Sequence, residues 1–350
     1  MDCSVCHYPN SGDACFCVRC AAPLGLPPER LPRQPEPLSS EEAAREAARS
    51  IQSGMVLSDR YQLVRQIGSG GFGTVFEAAD LELGLRVAVK LLRSSSLRDP
   101  RVRARFLDEA RMIAQLRNPH IVVLLDYDVT ETGTPYLVME LLEGKDVGTL
   151  LGQGVLSPRR ALRIAAQVCE ALGEAHRHGI VHRDMKPENV VLLNRAGETD
   201  FVKVVDFGVA KLCRGPGVRT SAVLGTPAYV SPEMLAGEPL DGRSDLYAVG
   251  IMLWEMIVGQ LPFPGTNQAV MLSSHLYAPR KWPRAIDPTV RMADPIEELL
   301  TQLVARAAAD RPASAYELRA RLLELAPLAP DRPFNVPPPT GGPPWDPPAG

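Results

Sequence analysis

The sequence predicts an α+β protein in which a β-rich lobe is followed by a mainly helical lobe. From Tyr61 to about residue 142, short runs rich in β-forming residues dominate, and one stretch of helical apolar spacing interrupts them. Beyond Gly152 the apolar pattern becomes mostly helical. The length of 350 residues gives this body room for a sizeable core and leaves residues for smaller units at the ends.

The first lobe begins with three strand-like runs, of which the second and third are joined by a turn at LELG. These runs are YQLVRQI, TVFEAAD and LRVAVKLL. A helix is predicted over residues 101–117, where apolar residues recur at helical spacing: Val102, Phe106, Ala110, Ile113 and Leu116. Two more strands are expected at HIVVLLDYDV and PYLVMEL.

Two helices dominate the prediction for the second lobe. ALRIAAQVCEALGEAH is amphipathic, and Cys169 lies on its apolar face, where we expect it to join the core. DLYAVGIMLWEMIVG is apolar nearly all round, which predicts a helix at the centre of the domain. This stretch is too short for a membrane span and contains Glu255, so it is interpreted as a core helix.

The composition is that of an ordinary globular protein, with 45% hydrophobic and 23% charged residues. A formal net charge of −3 gives no general case for binding nucleic acid or anionic membranes, because such binding usually needs a basic excess. We find neither a signal-peptide pattern at the start nor an apolar run long enough to span a bilayer. These features predict a cytoplasmic protein with reduced thiols.

The two ends of the chain differ from its body. Residues 1–24 form a cysteine-rich module, and residues 25–57 a proline-punctuated spacer that ends in a short helix predicted over 39–52. Ser39 and Glu42 have the spacing of a capping box at the start of that helix. Residues 326–350 are so rich in proline that we expect an extended, mobile tail.

Five of the seven cysteines lie between residues 3 and 20, and four of them form two C-x-x-C pairs. Each pair can turn two thiolates onto one cation, and four thiolates complete a tetrahedron around Zn²⁺. The predicted zinc ligands are Cys3, Cys6, Cys17 and Cys20. His7 is an alternative ligand and Cys15 is a surplus thiol, whereas a disulfide is disfavoured in a reducing compartment. The module resembles a short zinc ribbon, for which we expect a docking or regulatory role.

The body of the chain carries several motifs that suit phosphate chemistry. GSGGFGTV has glycines at positions 68, 70 and 73, between two predicted hairpin strands rather than at the start of a helix. Glycines there allow backbone amides to approach phosphates, although an ordinary glycine turn would have the same pattern. Lys90 ends the apolar run VAVK, and Glu109 on the next helix is a candidate anionic partner.

HRDMKPEN, residues 182–189, is far more specific, because it collects acidic, basic and amide side chains in one short loop. Downstream, VKVVDFG places Asp206 at the end of another apolar strand. A carboxylate there suits Mg²⁺, which prefers oxygen ligands and is often held by one or two side chains together with substrate phosphates.

In combination these segments resemble the eukaryotic-type (Hanks-type) protein kinase family over residues 58–325. The matching motifs run in the family's order: GSGGFGTV, VAVK, Glu109, HRDMKPEN, DFG, GTPAYVSPE, DLYAVG and ADRPAS. GTPAYVSPE and the lysine of HRDMKPEN are similar to the serine/threonine branch, in the style of its bacterial members. The resemblance implies a two-lobed kinase fold, with an N-lobe at about 58–142 and a C-lobe at about 143–325.

The resemblance also implies roles for individual residues. Asp184 would accept or orient the substrate hydroxyl proton, Lys186 would steady the γ-phosphoryl group, and Lys90, positioned by Glu109, would contact the α and β phosphates. Mg²⁺ would be held by Asn189 and Asp206. The ATP-binding residues it implies are Ile67, Gly68, Gly70, Gly73, Val75, Ala88, Lys90, Met139, Glu140, Leu142, Val191 and Val205.

The segment from Asp206 to Glu233 matches the family's activation segment. Arg183 is of the type that docks a phosphorylated loop, and Thr220 and Ser221 are the hydroxyls expected to receive that phosphate, by self-phosphorylation. The family's structural positions are matched by Thr226, expected to bond Asp184 and Lys186, by the ion pair Glu233–Arg311, and by Asp245. Ser231 stands where the family usually has alanine, and Met185 where it has leucine.

The expected function is transfer of the γ-phosphoryl group of Mg-ATP to serine or threonine hydroxyls of protein substrates. The alternative is a pseudokinase, an ATP-binding scaffold that uses the zinc ribbon and the proline-rich tail for protein interactions. A small-molecule phosphotransferase would lack GTPAYVSPE, and a nucleic-acid binder is disfavoured by the charge.

Overall fold

The computed structural model describes residues 52–70, 73–92, 100–130, 133–195, 197–207, 226–263, 265, 267–278 and 292–334. The predicted zinc ligands Cys3, Cys6, Cys17 and Cys20 lie outside these residues. So do Thr220 and Ser221, and nearly all of the helix predicted over 39–52.

The N-lobe is built on a six-stranded antiparallel sheet in the order β1-β2-β3-β4-β6-β5. Its strands are β1 (Val56–Leu57), β2 (Tyr61–Gly70), β3 (Gly73–Asp80), β4 (Leu85–Leu92), β5 (Leu124–Val129) and β6 (Pro135–Glu140). The strands predicted at YQLVRQI, TVFEAAD, LRVAVKLL and PYLVMEL are confirmed. One helix, α1 (Pro100–Ala114), packs Phe106 and Ala110 against Leu92 and Leu137 of the sheet.

Two boundaries in this lobe differ from the prediction. The sheet begins at Val56, before the predicted start at residue 58, because Leu57 pairs with Tyr61 and is buried in the core of the lobe. The strand predicted at HIVVLLDYDV is shorter, since regular pairing begins only at Leu124. The preceding residues instead bond to the C-lobe: Val122 N donates to the carbonyl of Val204, and Val204 N donates to that of His120.

The C-lobe is mainly helical. The helices among its described residues are α2 (Val147–Leu151), α3 (Pro158–Arg177), α4 (Pro232–Ala236), α5 (Gly242–Val258), α6 (Gln268–Tyr277), α7 (Asp294–Leu303) and α8 (Ala315–Leu325). Short 3-10 turns lie at Pro187–Asn189, Pro227–Tyr229, Ala308–Asp310 and Ala326–Leu328. A small antiparallel sheet, β7 (Gly144–Asp146), β8 (Val190–Arg195) and β9 (Glu198–Val204), completes the lobe.

Helix α5 lies at the centre of the C-lobe core, as its all-round apolar pattern predicts. Leu246, Val249, Ile251 and Trp254 are fully buried there, and so is Cys169 on the apolar face of α3. The folding of this lobe therefore rests on burying the apolar surface of α3, α5, α7 and α8 together.

The predicted extended tail is wrong for its first residues. Ala326–Leu328 form a 3-10 turn, and Ala326 and Ala329 are buried in the C-lobe core. Arg159, at the start of α3, donates to the carbonyl of Ala329 and pairs with Asp331 at 2.6 Å. These contacts hold residues 326–331 against the lobe in spite of their prolines, and residues 335–350 lie outside the described part.

Candidate active site

The loop HRDMKPEN connects α3 to β8 and is fixed by the ring of His182, which is fully buried. The ring Nε2 donates to the carbonyl of Val205 at 2.8 Å, and Nδ1 accepts the backbone N–H of Asp184. The edge of the ring also packs against Phe207, with the ring centres 4.7 Å apart. Since Val205 precedes Asp206, this one imidazole links the predicted catalytic residue Asp184 to the chain beside the predicted Mg²⁺ ligand Asp206.

Asp245, on α5, also fixes the loop HRDMKPEN, through hydrogen bonds to its backbone. Its carboxylate accepts the backbone N–H of His182 at 2.8 Å and that of Arg183 at 2.9 Å, and His176 Nε2 donates to it at 2.8 Å. Burial alone would raise the pKa of Asp245, but the hydrogen bonds and charge of its partners outweigh burial and lower it. Arg183 has a left-handed backbone, with φ of 69°, which these bonds help to maintain.

Asp184 is buried at the base of the site, together with two side chains of its own loop. Lys186 Nζ lies 3.2 Å from its Oδ2. Asn189 Nδ2 donates to the carbonyl of Asp184 at 2.6 Å and lies 3.3 Å from Oδ2. The residues predicted as base, phosphoryl-binding cation and metal ligand are thus in direct contact with each other.

Lys90 and Asp206 meet across the two lobes, although they are far apart in sequence. Lys90 Nζ lies 2.5 Å from Asp206 Oδ2, and both side chains are largely shielded from solvent. Asp206 has a left-handed backbone, with φ of 66°, and stands two residues after the end of β9. Glu109, the partner predicted for Lys90, lies on α1, but its side chain is not among the described ones.

The glycine motif lies on the β2–β3 hairpin, as expected, with Gly70 opposite Gly73 and Gly68 opposite Val75. A side chain at Gly73 would place its Cβ 2.1 Å from the carbonyl oxygen of Leu91, so only glycine fits there. Gly68 and Gly70 have no such crowding, and Ile67 at the end of the run is partly exposed. The open positions fit a hairpin that covers a ligand with backbone alone.

The remaining ATP-binding candidates lie on both lobes. Ala88 on β4 is directly opposite Met139 on β6, both are buried, and Glu140 and Leu142 follow Met139 along the chain. In the same sheet Val75 is opposite Lys90. From the C-lobe, Val191 lies on β8, and Val205 directly precedes Asp206. Lys90 touches Asp206, so Val75 is the strand partner of one member of this contact between the lobes, and Val205 directly precedes the other.

A second contact between the lobes involves Lys203, which the sequence reasoning did not single out. Its ammonium donates to Glu140 Oε1 at 2.6 Å and to the carbonyl of Ile121 at 3.1 Å. The same Glu140 oxygen accepts the backbone N–H of Val123. A lysine inside the apolar run VKVV was the signal that could have revealed it, because a charge buried in a strand needs a partner.

The segment GTPAYVSPE continues from Thr226 through the turn Pro227–Tyr229. Thr226 lines a small cavity with Arg183, Asp184 and Met185. Within the described residues its hydroxyl bonds to neither Asp184 nor Lys186, which differs from the expectation; the contacts of the Asp184 carboxylate there come from Lys186 and Asn189. The Tyr229 hydroxyl donates to Glu255 Oε2, and burial raises the pKa of Glu255.

Glu233 and Arg311 form a buried bidentate ion pair, with N–O distances of 2.7 and 2.8 Å. Arg311 also donates to the carbonyls of Ala305, Arg243 and Arg306, so that its donors are satisfied without water. Ser244 adds a hydrogen bond to Glu233 at 2.6 Å. By contrast, the hydroxyl of Ser231 is buried and has no partner in the described part of the chain.

The two residues predicted to hold Mg²⁺, Asn189 and Asp206, both carry a side-chain oxygen and border the catalytic loop. Asp206 supplies a carboxylate next to Lys90, and Asn189 is joined to the strand before Asp206 by the bond from Val205 N to its carbonyl. No cluster of three or more His, Cys, Asp or Glu suited to a metal occurs in the described ranges. The donor set therefore fits Mg²⁺ held by two side chains and by substrate phosphates.

The described residues contain no helix that is long and apolar enough to cross a membrane.

Comparisons with known proteins agree with this geometry. Residues 61–321 match the family model described as protein kinase domain. The chain is 39% identical over 275 residues to the serine/threonine-protein kinase pkn3 of Myxococcus xanthus, covering 77% of this chain and 50% of that protein. It is also 39% identical over 289 residues to PknB of Mycolicibacterium smegmatis, covering 79% and 45%. The chain thus spans about half the length of these relatives.

Among solved structures, the crystal structure of the PknI kinase domain of Mycobacterium tuberculosis aligns with a TM-score of 0.61 and 26% identity. The alignment covers 79% of this chain and 99% of that one. The two lobes, the order of the motifs and these relatives agree, and the chain therefore belongs to the protein kinase family.

Proposed function

We propose that this chain transfers the γ-phosphoryl group of Mg-ATP to serine or threonine hydroxyls of protein substrates. The observation that carries the proposal is the direct contact of Asp184 with Lys186 and Asn189, in a loop that His182 and Asp245 hold rigidly. Phosphoryl transfer needs positioning and neutralisation of charge more than covalent chemistry, and this assembly offers both.

Each group has a distinct task in the proposed reaction. Asp184 orients the acceptor hydroxyl and takes its proton, while Lys186 neutralises charge on the transferred group. Lys90 turns from Asp206 toward the phosphates when ATP enters the site. Bound Mg²⁺ supplies charge neutralisation between the phosphates, and Asn189 and Asp206 would hold it.

The test compares the wild type with Asp184→Asn in phosphotransfer from labelled ATP to a generic basic protein. Asp108→Asn is the matched control, because Asp108 is an exposed carboxylate on α1 that pairs only with Arg111 among the described residues. We expect Asp184→Asn to lose at least about 100-fold in rate, and the control to keep its activity. Equal labelling by wild type and Asp184→Asn would refute the proposal, and ATP binding without any transfer would favour the scaffold.

We further propose that phosphorylation of the activation segment raises activity, with Thr220 and Ser221 as the acceptors. The supporting observation is Arg183, whose Nε is buried beside the catalytic loop and has no partner in the described residues. A phosphate group is a strong acceptor for such a guanidinium. Mass spectrometry after incubation with ATP should find phosphate at one of the two hydroxyls, and the double alanine variant should stay at the basal rate.

The cysteine module is proposed to hold structural Zn²⁺ through Cys3, Cys6, Cys17 and Cys20, and, with the proline-rich tail, to bind protein partners. Its support is the pairing of two C-x-x-C motifs in a stretch too short to have a core. Elemental analysis after purification under reducing conditions should give close to one zinc per chain. Less than half a zinc, or the same amount after Cys17→Ser and Cys20→Ser, would refute this ligand set.

A further inference from the structure

A groove on the C-lobe shares no residue with the candidate active site. It lies between α3, α8 and the turn that joins β8 to β9, and its volume of about 600 Å³ is large enough to hold a ligand. One side of the groove is a single face of α3, which presents residues at helical spacing: Arg159, Arg163, Ala166, Gln167 and Glu170. The groove is therefore a surface on which a further segment can lie.

The groove is preformed, because hydrogen bonds fix the turn against α3. Asp200 has a left-handed backbone, with φ of 61°, which is unfavourable for a residue other than glycine unless other contacts hold it. Arg160 donates two hydrogen bonds of 2.8 Å to the Asp200 carboxylate, and Gln167 donates to the Asp200 carbonyl at 3.0 Å. The oxygen of the same Gln167 amide accepts the backbone N–H of Val202. A ligand would therefore meet walls that are already in place.

Arg163 carries the one positive charge in the groove that has no anionic partner among the described residues. The other arginines that line the groove are each paired with a carboxylate: Arg159 with Asp331, Arg160 with Asp200, and Arg319 with Glu170. Arg163 is exposed, and its planar guanidinium has donors in a fixed geometry that matches a carboxylate. Glu198, on the turn, is also without a partner in the described part, so the free cation on α3 is balanced by a free anion on the turn. The groove thus selects a ligand that brings an acceptor to α3.

The described part of the chain ends beside this groove. Arg159 holds Asp331 at the N-terminal end of α3, and a few residues later Phe334 packs against the C-lobe core. Residues 335–350, NVPPPTGGPPWDPPAG, follow directly. The α3 face from Arg159 to Glu170 is about 16 Å long, a distance that about six residues of an extended proline-rich segment can follow at ~3.1 Å each. The segment is therefore long enough to run along the groove from the end at which it starts.

The composition of residues 335–350 matches the groove. The prolines of the segment have no N–H, so they present carbonyl oxygens, which accept hydrogen bonds from guanidinium groups. Asp346 is the only charged residue of the segment, and its carboxylate is the complement of Arg163. Its neighbour Trp345 suits the side chain of Leu323, which lines the groove on α8 and is 44% exposed. This short segment therefore brings acceptors, an anion and an apolar ring to a surface that has a counterpart for each.

We propose that residues 335–350 dock in this groove of the same chain, with Asp346 paired to Arg163 and Trp345 packed on Leu323. The segment enters the groove at the Arg159–Asp331 pair and runs along α3. Docking removes the apolar surface of Leu323 from water and gives the Arg163 guanidinium its missing partner. A protein partner that binds this segment must first displace it from the C-lobe, so the groove controls access to the segment.

The test measures how accessible Trp345 is in the full chain. Acrylamide quenching of tryptophan fluorescence is recorded for each protein and for its Trp345→Phe counterpart, and the difference isolates Trp345 from Trp254 and Trp282. In the wild type, Trp345 should be protected relative to the urea-unfolded chain. Arg163→Glu and Asp346→Arg each place like charges opposite one another, so the docking equilibrium constant should fall roughly fivefold to tenfold and quenching of Trp345 should rise. The double variant Arg163→Glu/Asp346→Arg restores opposite charges and should restore the protection.

Arg117→Glu is the matched control, because Arg117 is an exposed arginine outside the groove, and it should leave the quenching unchanged. Asp346→Arg leaves every residue of the groove in place, so it tests the pair even if Arg163→Glu fails to fold.

Three results would overturn the inference: equal quenching of Trp345 in native and urea-unfolded wild type, equal quenching in all variants, and a double variant no better protected than the single ones. Protection that grows with protein concentration would overturn it as well, because the occupant would then come from a second copy. None of these outcomes depends on phosphotransfer, so a failure of the proposed function would leave the inference intact.

Discussion

Lys203 Nζ lies 2.6 Å from Glu140 Oε1, and this ion pair joins the strand that leads to Asp206 with the chain segment that connects the lobes. The lysine is almost fully buried, whereas the glutamate side chain retains 30% of its exposure. The same two side chains bond the backbone at Ile121 and Val123, in the segment between α1 and β5. Three separate parts of the chain therefore meet at one buried ammonium group.

Because Lys203 is more deeply buried than Glu140, replacing Glu140 should lower the free energy of unfolding more than replacing Lys203. Glu140→Leu leaves a buried ammonium without its anion, which should lower the free energy of unfolding by about 3 kcal/mol. Lys203→Met leaves a carboxylate that can reach water, so that the loss should be about 1 kcal/mol. Urea denaturation of both variants measures this difference, and equal losses would contradict it.

The double variant Glu140→Leu/Lys203→Met provides the matched control. Because it leaves no unpaired charge, it should be more stable than Glu140→Leu alone. Additive losses in the double variant would show that the two side chains do not interact.

The two buried serines near the Glu233–Arg311 pair predict opposite effects of the same substitution. Ser231 has no partner for its hydroxyl in the described residues, so Ser231→Ala should raise the free energy of unfolding by about 1 kcal/mol. Ser244 donates to Glu233, so Ser244→Ala should lower it by about 1–2 kcal/mol. Thermal denaturation of both variants measures the two changes in stability. Destabilisation by Ser231→Ala would contradict the prediction, because it would mean that the Ser231 hydroxyl has a hydrogen-bond partner.

Asp245 should make the stability of the protein depend on pH in the acid range. Its hydrogen bonds lower its pKa in the folded state, so its contribution is fully present above the unfolded pKa of about 4. That contribution is lost as the pH falls through the folded value. Asp245→Asn should therefore be less stable at pH 7 and lose less stability than wild type between pH 5 and acid unfolding, measured by urea titrations. Parallel pH profiles would contradict this assignment.

Gly250 and Gly152 predict opposite effects of a glycine-to-alanine change. A Cβ at Gly250, in the middle of α5, would lie 2.5 Å from the Cβ of Leu303 on α7, so Gly250→Ala should cost about 1–3 kcal/mol of stability. A Cβ at Gly152 meets only ordinary contacts, and the backbone there is right-handed, so Gly152→Ala should be neutral or add up to about 1 kcal/mol. The denaturation midpoints of the two variants measure this difference. If Gly250→Ala and Gly152→Ala lowered the midpoint equally, the close packing of α5 on α7 would be refuted.

Cys169 should be inert toward thiol reagents while the protein is folded. It is fully buried on α3, and burial raises the pKa of its thiol far above the usual value, which removes the reactive thiolate. Peptide mapping after alkylation should find Cys169 unmodified in the native protein and modified in urea. Rapid native labelling at this position would contradict the packing of α3.

The sequence reasoning located most of the candidate site, because its residues stand in short motifs in which neighbours in sequence are neighbours in space. Asp184, Lys186 and Asn189 fall in one loop, and the glycine hairpin is local as well. It did not find the Lys203–Glu140 pair, the Lys90–Asp206 contact or the hydrogen bond between Tyr247 and His275. In each of these, the partners come from elements far apart in the chain, and nothing in either local pattern specifies the other.

The chain after residue 326 shows the same difference between what the sequence predicts and what the tertiary structure decides. Prolines after residue 326 predict a mobile tail, yet Arg159 and the C-lobe core hold residues 326–331 in place. By itself the sequence determined most of the secondary structure, the order of the lobes and the set of candidate catalytic side chains, because periodicity and motif chemistry are local properties. Only the tertiary structure decided which buried charges pair and which polar atoms, such as Ser231 Oγ and His275 Nε2, remain unsatisfied. Those outcomes depend on how distant surfaces pack and exclude water.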